Sequence, residues 1–269
     1  MILGYLMTLL CGGELLAADR IEARTFRSEA LGRDVPYSVF IPSEPAPAGG
    51  WPLVLVLHGA GRNHRTPADT PETRAEILTR KLVLVFADGK LGWWFDSEAE
   101  PASKYDSMLQ ELLRLVRRDL PVSSAPARTG VCGWSMGGYG SVRFAETHPE
   151  ELGAVATAIA LLDFPNPALP REQTYRMSPV FGTDPEQWRR LNCMTDAERL
   201  RGRQLLFIAG RRAFDYQMNL NFHQRLEGLG IPHELREIDG GHTFPAVQAA
   251  WPQMLDFMES RLGADGPAR

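Results

Sequence analysis

The stretch GVCGWSMGGYGSVRFAE, Gly130 to Glu146, decides how the rest of the chain is read. It overlaps a short apolar run, Thr129–Cys132, with the character of a strand buried on both faces. It passes through Gly133-Trp134-Ser135-Met136-Gly137 and goes at once into a helical pattern, Met136–Thr147, which His148-Pro149 ends. One serine therefore stands between two glycines at the seam of a strand and a helix. A G-x-S-x-G match by itself arises by chance too often to decide anything. The setting decides more, because a strand-to-helix turn is what a nucleophile elbow requires. The sharp turn strains the serine backbone and lifts its hydroxyl clear of the sheet. Strand and helix pass so close there that small residues are needed, and Gly137 and Gly138 supply them. The serine also lies at a helix N-terminus, where the dipole favours developing negative charge.

Outward from this seam, strand and helix signatures alternate. Ile21–Ser28 and Val35–Ile41 alternate apolar with polar residues and read as an early antiparallel pair of strands. Pro42 to Pro52 is a Pro/Ala/Gly loop, and Leu53–Leu57 and Leu82–Phe86 are continuous apolar runs. Tyr105–Leu120 has helical spacing through Met108, Leu109, Leu112, Leu115 and Val116, and stops at Pro121. Leu152–Leu161 is apolar and fits strand or helix by period alone, and its place in the alternation favours a strand. Leu205–Ala209 and His233–Ile238 are later strands, followed by helices over Tyr216–Leu229 and Pro245–Leu262. This order implies an α/β fold with a mostly parallel sheet, helices on both faces, and a ligand site at the carboxyl ends of the strands. Asp163–Arg203, with Pro165, Pro167, Pro170 and Pro185, breaks the rhythm. It reads as a small cap-like insertion beside the site or as a surface excursion.

A serine nucleophile needs an oxyanion hole, a base and an acid. The N–H of Met136, next after the serine, is one oxyanion donor, and the second belongs in the loop after an earlier strand. Leu57-His58-Gly59-Ala60-Gly61 stands there, with the Ala60 N–H the expected donor, Gly61 its rival, and His58 a structural histidine of the loop. The base belongs on a loop after the last strand. Asp239-Gly240-Gly241-His242-Thr243-Phe244-Pro245 supplies His242, with Pro245 suited to the first turn of the next helix. His148 and His223 sit in or beside helices and His233 opens a strand, while His64 follows the oxyanion loop and is a further candidate to line the site. Trp93-Trp94-Phe95-Asp96 follows a strand, so Trp94 and Phe95, with Trp134 beside the serine, are the candidate substrate-contacting aromatics.

The 269 residues suit one large α/β domain over 19–269, and 44% apolar with 23% charged residues suits a chain that buries a real core. A net charge of −4 without a Lys/Arg block argues against nucleic acid. Cys11, Cys132 and Cys193 form no metal-binding pattern, so neither metal nor cofactor is expected. Residues 1–18 read as a signal-like apolar run, yet no basic segment precedes it and Glu14 interrupts it. Export to a periplasmic or secreted location and retention in the cytoplasm are both open. The run is too short and broken for a stable membrane anchor.

VLVLHGAGRN, VFADGKLGWWFDS, GVCGWSMGGYGSVRFAETHPE and NFHQRLEGLGIPHELREIDGGHTFP together resemble the esterase D type of α/β-hydrolase. That group includes S-formylglutathione hydrolases, tributyrin and feruloyl esterases, and mycolyltransferases. The resemblance implies an α/β-hydrolase fold and a serine carboxylic esterase acting through an acyl-enzyme. Ser135 is its nucleophile, His242 its base, and Ala60 and Met136 its oxyanion donors. The substrate it implies is a small-molecule or polysaccharide-linked ester with a small acyl, acetyl or feruloyl group. The chain departs from the family at the acid. After Ala209-Gly210, the position where many members carry Asp is Ala213, and Asp215 lies two residues later. Asp215 is the expected acid, Asp163 its substitute, and Asp239 points along its loop. An acyltransferase or peptidase of the same fold remains open, as does a binding protein on a hydrolase scaffold, which the displaced acid would favour.

Overall fold

The computed structural model describes residues 20–263. Eight strands form one sheet: β1 (Arg20–Ser28), β2 (Arg33–Ile41), β3 (Leu53–Leu57), β4 (Val83–Ala87), β5 (Thr129–Trp134), β6 (Ala154–Ala158), β7 (Gln204–Gly210) and β8 (Glu234–Ile238). Their spatial order is β1-β2-β4-β3-β5-β6-β7-β8. β1 and β2 pair antiparallel, as do β2 and β4, and every later pairing is parallel. This is the α/β-hydrolase arrangement. The continuous apolar runs have a simple cause. Leu53, Leu55 and Leu57 of β3 enter the core on one face of the sheet, and Val54 and Val56 enter the core on the other. A strand covered on both sides has no polar face to alternate with.

The first face packs against α3 (Tyr105–Asp119), α4 (Met136–Thr147) and α7 (Tyr216–Gly228) through Leu109, Leu112, Val142, Met218 and Phe222. The second face packs against α8 (Phe244–Leu262) through Val247, Trp251, Met254 and Met258. Two short helices, α1 (Thr66–Asp69) and α2 (Pro71–Ile77), follow β3 where no helix is expected from the sequence pattern. The apolar run Leu152–Leu161 is strand only over Ala154–Ala158, since the chain turns sharply at Ile159 (φ 42°). The strand that leads into the seam extends two residues further than expected, to Trp134.

Residues 163–203 carry α5 (Pro185–Leu191) and α6 (Cys193–Asp196). The segment is tied down by Asp163, whose carboxylate accepts from the side-chain amides of Asn166 (3.0 Å), Asn192 (2.9 Å) and Asn221 on α7 (2.7 Å). Asn192 and Asn166 each turn their carbonyl oxygen to a backbone N–H, which fixes the amide N–H groups toward Asp163. The signal-like run lies outside the described residues.

Candidate active site

β5 delivers Ser135 to the carboxyl edge of the sheet, between β3 and β6, where the strand order reverses direction. The serine backbone adopts φ 56° and ψ −122°, a conformation that non-glycine residues rarely hold and that clusters at functional sites. The glycines around it answer a close approach. A Cβ on Gly137 would lie 1.9 Å from the Leu57 carbonyl oxygen, and one on Gly133 would lie 2.5 Å from the Gly137 oxygen. β3, β5 and α4 can meet this tightly only without side chains there.

Four loops converge on the serine. Ser135 Oγ lies 2.8 Å from His242 Nε2, and His242 Nδ1 lies 2.5 Å from Asp215 Oδ1. With Asp215 as carboxylate, Nδ1–H donates to it, and Nε2 is left to accept from the serine hydroxyl. Asp215 is fully buried and stands at the cap position of α7, where its side chain accepts no backbone N–H of the helix. Its other oxygen accepts from the Asn219 amide at 3.0 Å, and the same amide donates to the Ala160 carbonyl at 2.8 Å. The two-position shift from Ala213 to Asp215 is absorbed in the turn after β7, so the carboxylate still reaches the histidine. Asp163 does not meet His242. Its oxygens are occupied by the three asparagine amides. Asp239 pairs with Arg212 at 3.1 Å.

Gly59 to Arg62 forms a tight turn, with Arg62 N–H donating to the Gly59 carbonyl at 3.2 Å and Gly61 at φ 73°. A positive φ at the third residue is what a type II turn needs. Ala60, in the second position, lines the cleft over Ser135. Met136 opens α4, so its N–H has no partner within the helix. His58 is buried. Its Nε2 accepts from the Gly89 N–H at 3.0 Å, which leaves Nδ1–H to donate to the Gly59 carbonyl at 2.9 Å. Burial holds its pKa below the ordinary histidine value, in keeping with this neutral form. His64 is also buried, with Nδ1 against Ser38 Oγ at 2.9 Å, and it does not line the cleft. His223 and His233 bond one another at 2.7 Å, and His148 bonds Asp106 at 2.8 Å.

The cleft has a cavity volume of ≈ 140 Å³. Trp134, Ile159, Phe244 and Val247 form its apolar walls, and Arg62 and Thr243 its polar ones. Trp134 is thus where a substrate would meet it. Trp94 and Phe95 are not, and that expectation is corrected. Trp94 is fully buried and its indole donates to the His58 carbonyl at 3.3 Å. Phe95 packs against Phe181 and Tyr139 with ring centroids 5.0 and 6.4 Å apart. Both hold up the loop after β4. No residue of 163–203 lines the cleft, although Tyr175 stacks on Phe214, whose ring lies 4.4 Å from that of His242. The sequence reading missed the cleft-lining Arg62, Ile159, Thr243, Phe244 and Val247, and Asn219 and Phe214 beside Asp215 and His242. Asn219 could have been found from its i, i+4 spacing to Asp215 on a helix. Phe214 carried no such signal.

The fold and this arrangement define the chain as an α/β-hydrolase with serine, histidine and aspartate aligned at one edge of its sheet. Residues 28–258 match the model of the Esterase family, described as "Putative esterase", and the chain belongs to that family. It is 21% identical to the Mycobacterium tuberculosis protein "Esterase Rv1288" over 81% of its own length. It spans about half (55%) of that relative. Solved structures share the fold. A ferulic acid esterase matches with TM-score 0.76 at 21% identity, over 91% of this chain and 99% of that one. An S-formylglutathione hydrolase from Agrobacterium tumefaciens matches with TM-score 0.75 at 20% identity, over 91% and 96%. The Staphylococcus aureus serine hydrolase FphF matches with TM-score 0.74 at 19% identity, over 89% and 98%.

Proposed function

We propose that the protein hydrolyses short-chain carboxylic esters through an acyl-enzyme formed on Ser135. The observation that carries this reading is the unbroken line from Ser135 Oγ through His242 to the buried Asp215 carboxylate. His242 Nε2 takes the serine proton as Oγ attacks the carbonyl carbon. The C=O electrons move onto oxygen, which the N–H groups of Ala60 and Met136 stabilise. The tetrahedral adduct collapses, and His242 returns the proton to the departing alcohol. Water then attacks the acyl-serine by the same route in reverse. Asp215 holds the imidazole in the tautomer that can accept and balances the imidazolium that forms.

The cleft narrows the substrate class. Trp134, Ile159, Phe244 and Val247 give an acyl chain an apolar seat beside Ser135. We place an acetyl to butyryl group there, and a feruloyl ester tests whether the open side of the cleft takes a larger one. The binding-protein reading loses its main support now that Asp215 meets His242. The test is hydrolysis of 4-nitrophenyl acetate and butyrate by the wild type and Ser135→Ala. We expect turnover in the wild type, faster than on the octanoate, and loss of at least about 10³-fold in the variant. Equal rates in both proteins would defeat the assignment.

A further inference from the structure

We propose that the cleft selects esters carrying an anionic group, a carboxylate above all, and that Arg62 is the residue that reads it. The proposal rests on Ser135 being the nucleophile of the same cleft.

Arg62 lies two residues from Ala60, on the turn that forms one wall. Among the described residues, no aspartate or glutamate lines this cleft, and Arg62 is the only lining residue with a permanent charge. The arginine is exposed, yet it is not free to wander. Its guanidinium carbon lies 4.7 Å from the centroid of the Phe244 ring, which forms the opposite wall. Stacking of this kind occupies one face of the guanidinium and leaves the N–H donors at its edges available. Among the described residues, no hydrogen bond or ion pair occupies those donors. Elsewhere the exposed arginines near acidic groups pair with them, as Arg65 does with Asp69 and Arg212 with Asp239. A guanidinium held by a ring at the mouth of an acid-free cleft is arranged to accept a carboxylate in its fork. The apolar walls beside Ser135 and the exposed Arg62 set the order of parts. The acyl group sits inside, and the anionic group lies at the rim, where Arg62 is exposed.

The anionic group can belong to the acyl part or to the alcohol part, and matched ester pairs separate the two. Mono-4-nitrophenyl adipate against 4-nitrophenyl hexanoate places the charge on the acyl side. 3-Carboxyphenyl acetate against 3-carbamoylphenyl acetate places it on the alcohol side. In at least one pair, we expect the wild type to prefer the anionic member by about tenfold in kcat/KM, as a charge-assisted contact supplies. The preference should shrink severalfold between about 0.05 and about 0.5 M NaCl, where screening is strong. Arg62→Met should bring the ratio to about one, and Arg62→Lys should keep part of it, having the charge without the fork. A ratio of one or less in both wild-type pairs, or an anionic preference that survives Arg62→Met, overturns the proposal. Ser135→Ala on the neutral esters is read separately. If it abolishes turnover while the ratios stand at one, only the role of Arg62 falls. If turnover persists, the nucleophile assignment falls with it.

Discussion

Asp215→Asn and Asp163→Asn separate the two buried carboxylates by what each one holds. In Asp215→Asn the side chain keeps its shape, but an amide replaces the acceptor 2.5 Å from His242 Nδ1. The imidazole then loses the partner that keeps its proton on Nδ1, and Nε2 no longer accepts from Ser135 reliably. A wrong tautomer of this kind costs about 10⁴-fold in kcat, or roughly 5.5 kcal/mol of transition-state stabilisation. In Asp163→Asn the cost falls on stability. Each Asp163 oxygen receives two amide contacts: Asn166 and Asn192 on one, Asn166 and Asn221 on the other. Turning one oxygen into NH₂ sets donor against donor and loses one such pair. At about 1.5–3 kcal/mol for a hydrogen bond to a charged group, the loss is about 3 kcal/mol, the lower end, because Asn166 and Asn221 are partly exposed and water can substitute. That corresponds to a fall in Tm of roughly 6–12 °C for a chain of this size. The assay is kcat for 4-nitrophenyl acetate beside calorimetric Tm, with both variants and wild type at one pH. Asp215→Asn should be folded and nearly inactive, and Asp163→Asn less stable but within a few-fold of wild-type kcat. A folded Asp163→Asn without activity, beside an Asp215→Asn within tenfold of wild type, would refute the reasoning.

Gly137→Ala puts a methyl 1.9 Å from the Leu57 oxygen and should cost more than about 4 kcal/mol or prevent folding, measured by soluble yield and urea unfolding. Gly228→Ala, at the end of α7 with nothing within 4 Å of the added carbon, should gain about 0.5–1 kcal/mol in the same measurement. Glu146 is fully buried 2.7 Å from Arg143, and burial pushes its carboxyl up from 4.5 to about 8. A folded-state value above the unfolded one means that the group's contribution is complete below pH 4.5 and is lost as pH rises towards 8. Unfolding free energies at several pH values should therefore decline for wild type relative to Glu146→Gln across that window, and parallel curves would contradict it. Cys132 and Cys193 are both buried, and burial pushes the Cys132 thiol up to about 12. Neither should react with a thiol reagent in the native protein on the timescale at which both react after unfolding.

Much of the fold was legible because its signals are local. A strand covered on both faces must be apolar throughout, and a strand-to-helix turn too tight for side chains must carry glycine, so β3, β4, β5 and the serine seam stand out in one dimension. His242 was legible for the same reason, as the histidine of a Gly-Gly loop after the last strand. The alternation also led astray where it had no local check. Leu152–Leu161 is apolar, yet only Ala154–Ala158 is strand, and the chain turns at Ile159, which lines the cleft.

The sequence by itself singled out Ser135 and His242 and the edge of the sheet they share. Only the tertiary structure decided which carboxylate meets His242, because that depends on how the turn after β7 absorbs two extra residues. It also decided that Trp94 and Phe95 support a loop while Trp134, Ile159 and Phe244 wall the cleft, and that Arg62 rests on Phe244. Ser135 and His242 are 107 positions apart, and Arg62 and Phe244 are farther still. Pattern along a chain reports burial and turn geometry within a few residues. Contacts across such separations follow from strand order and loop path, which no local pattern encodes.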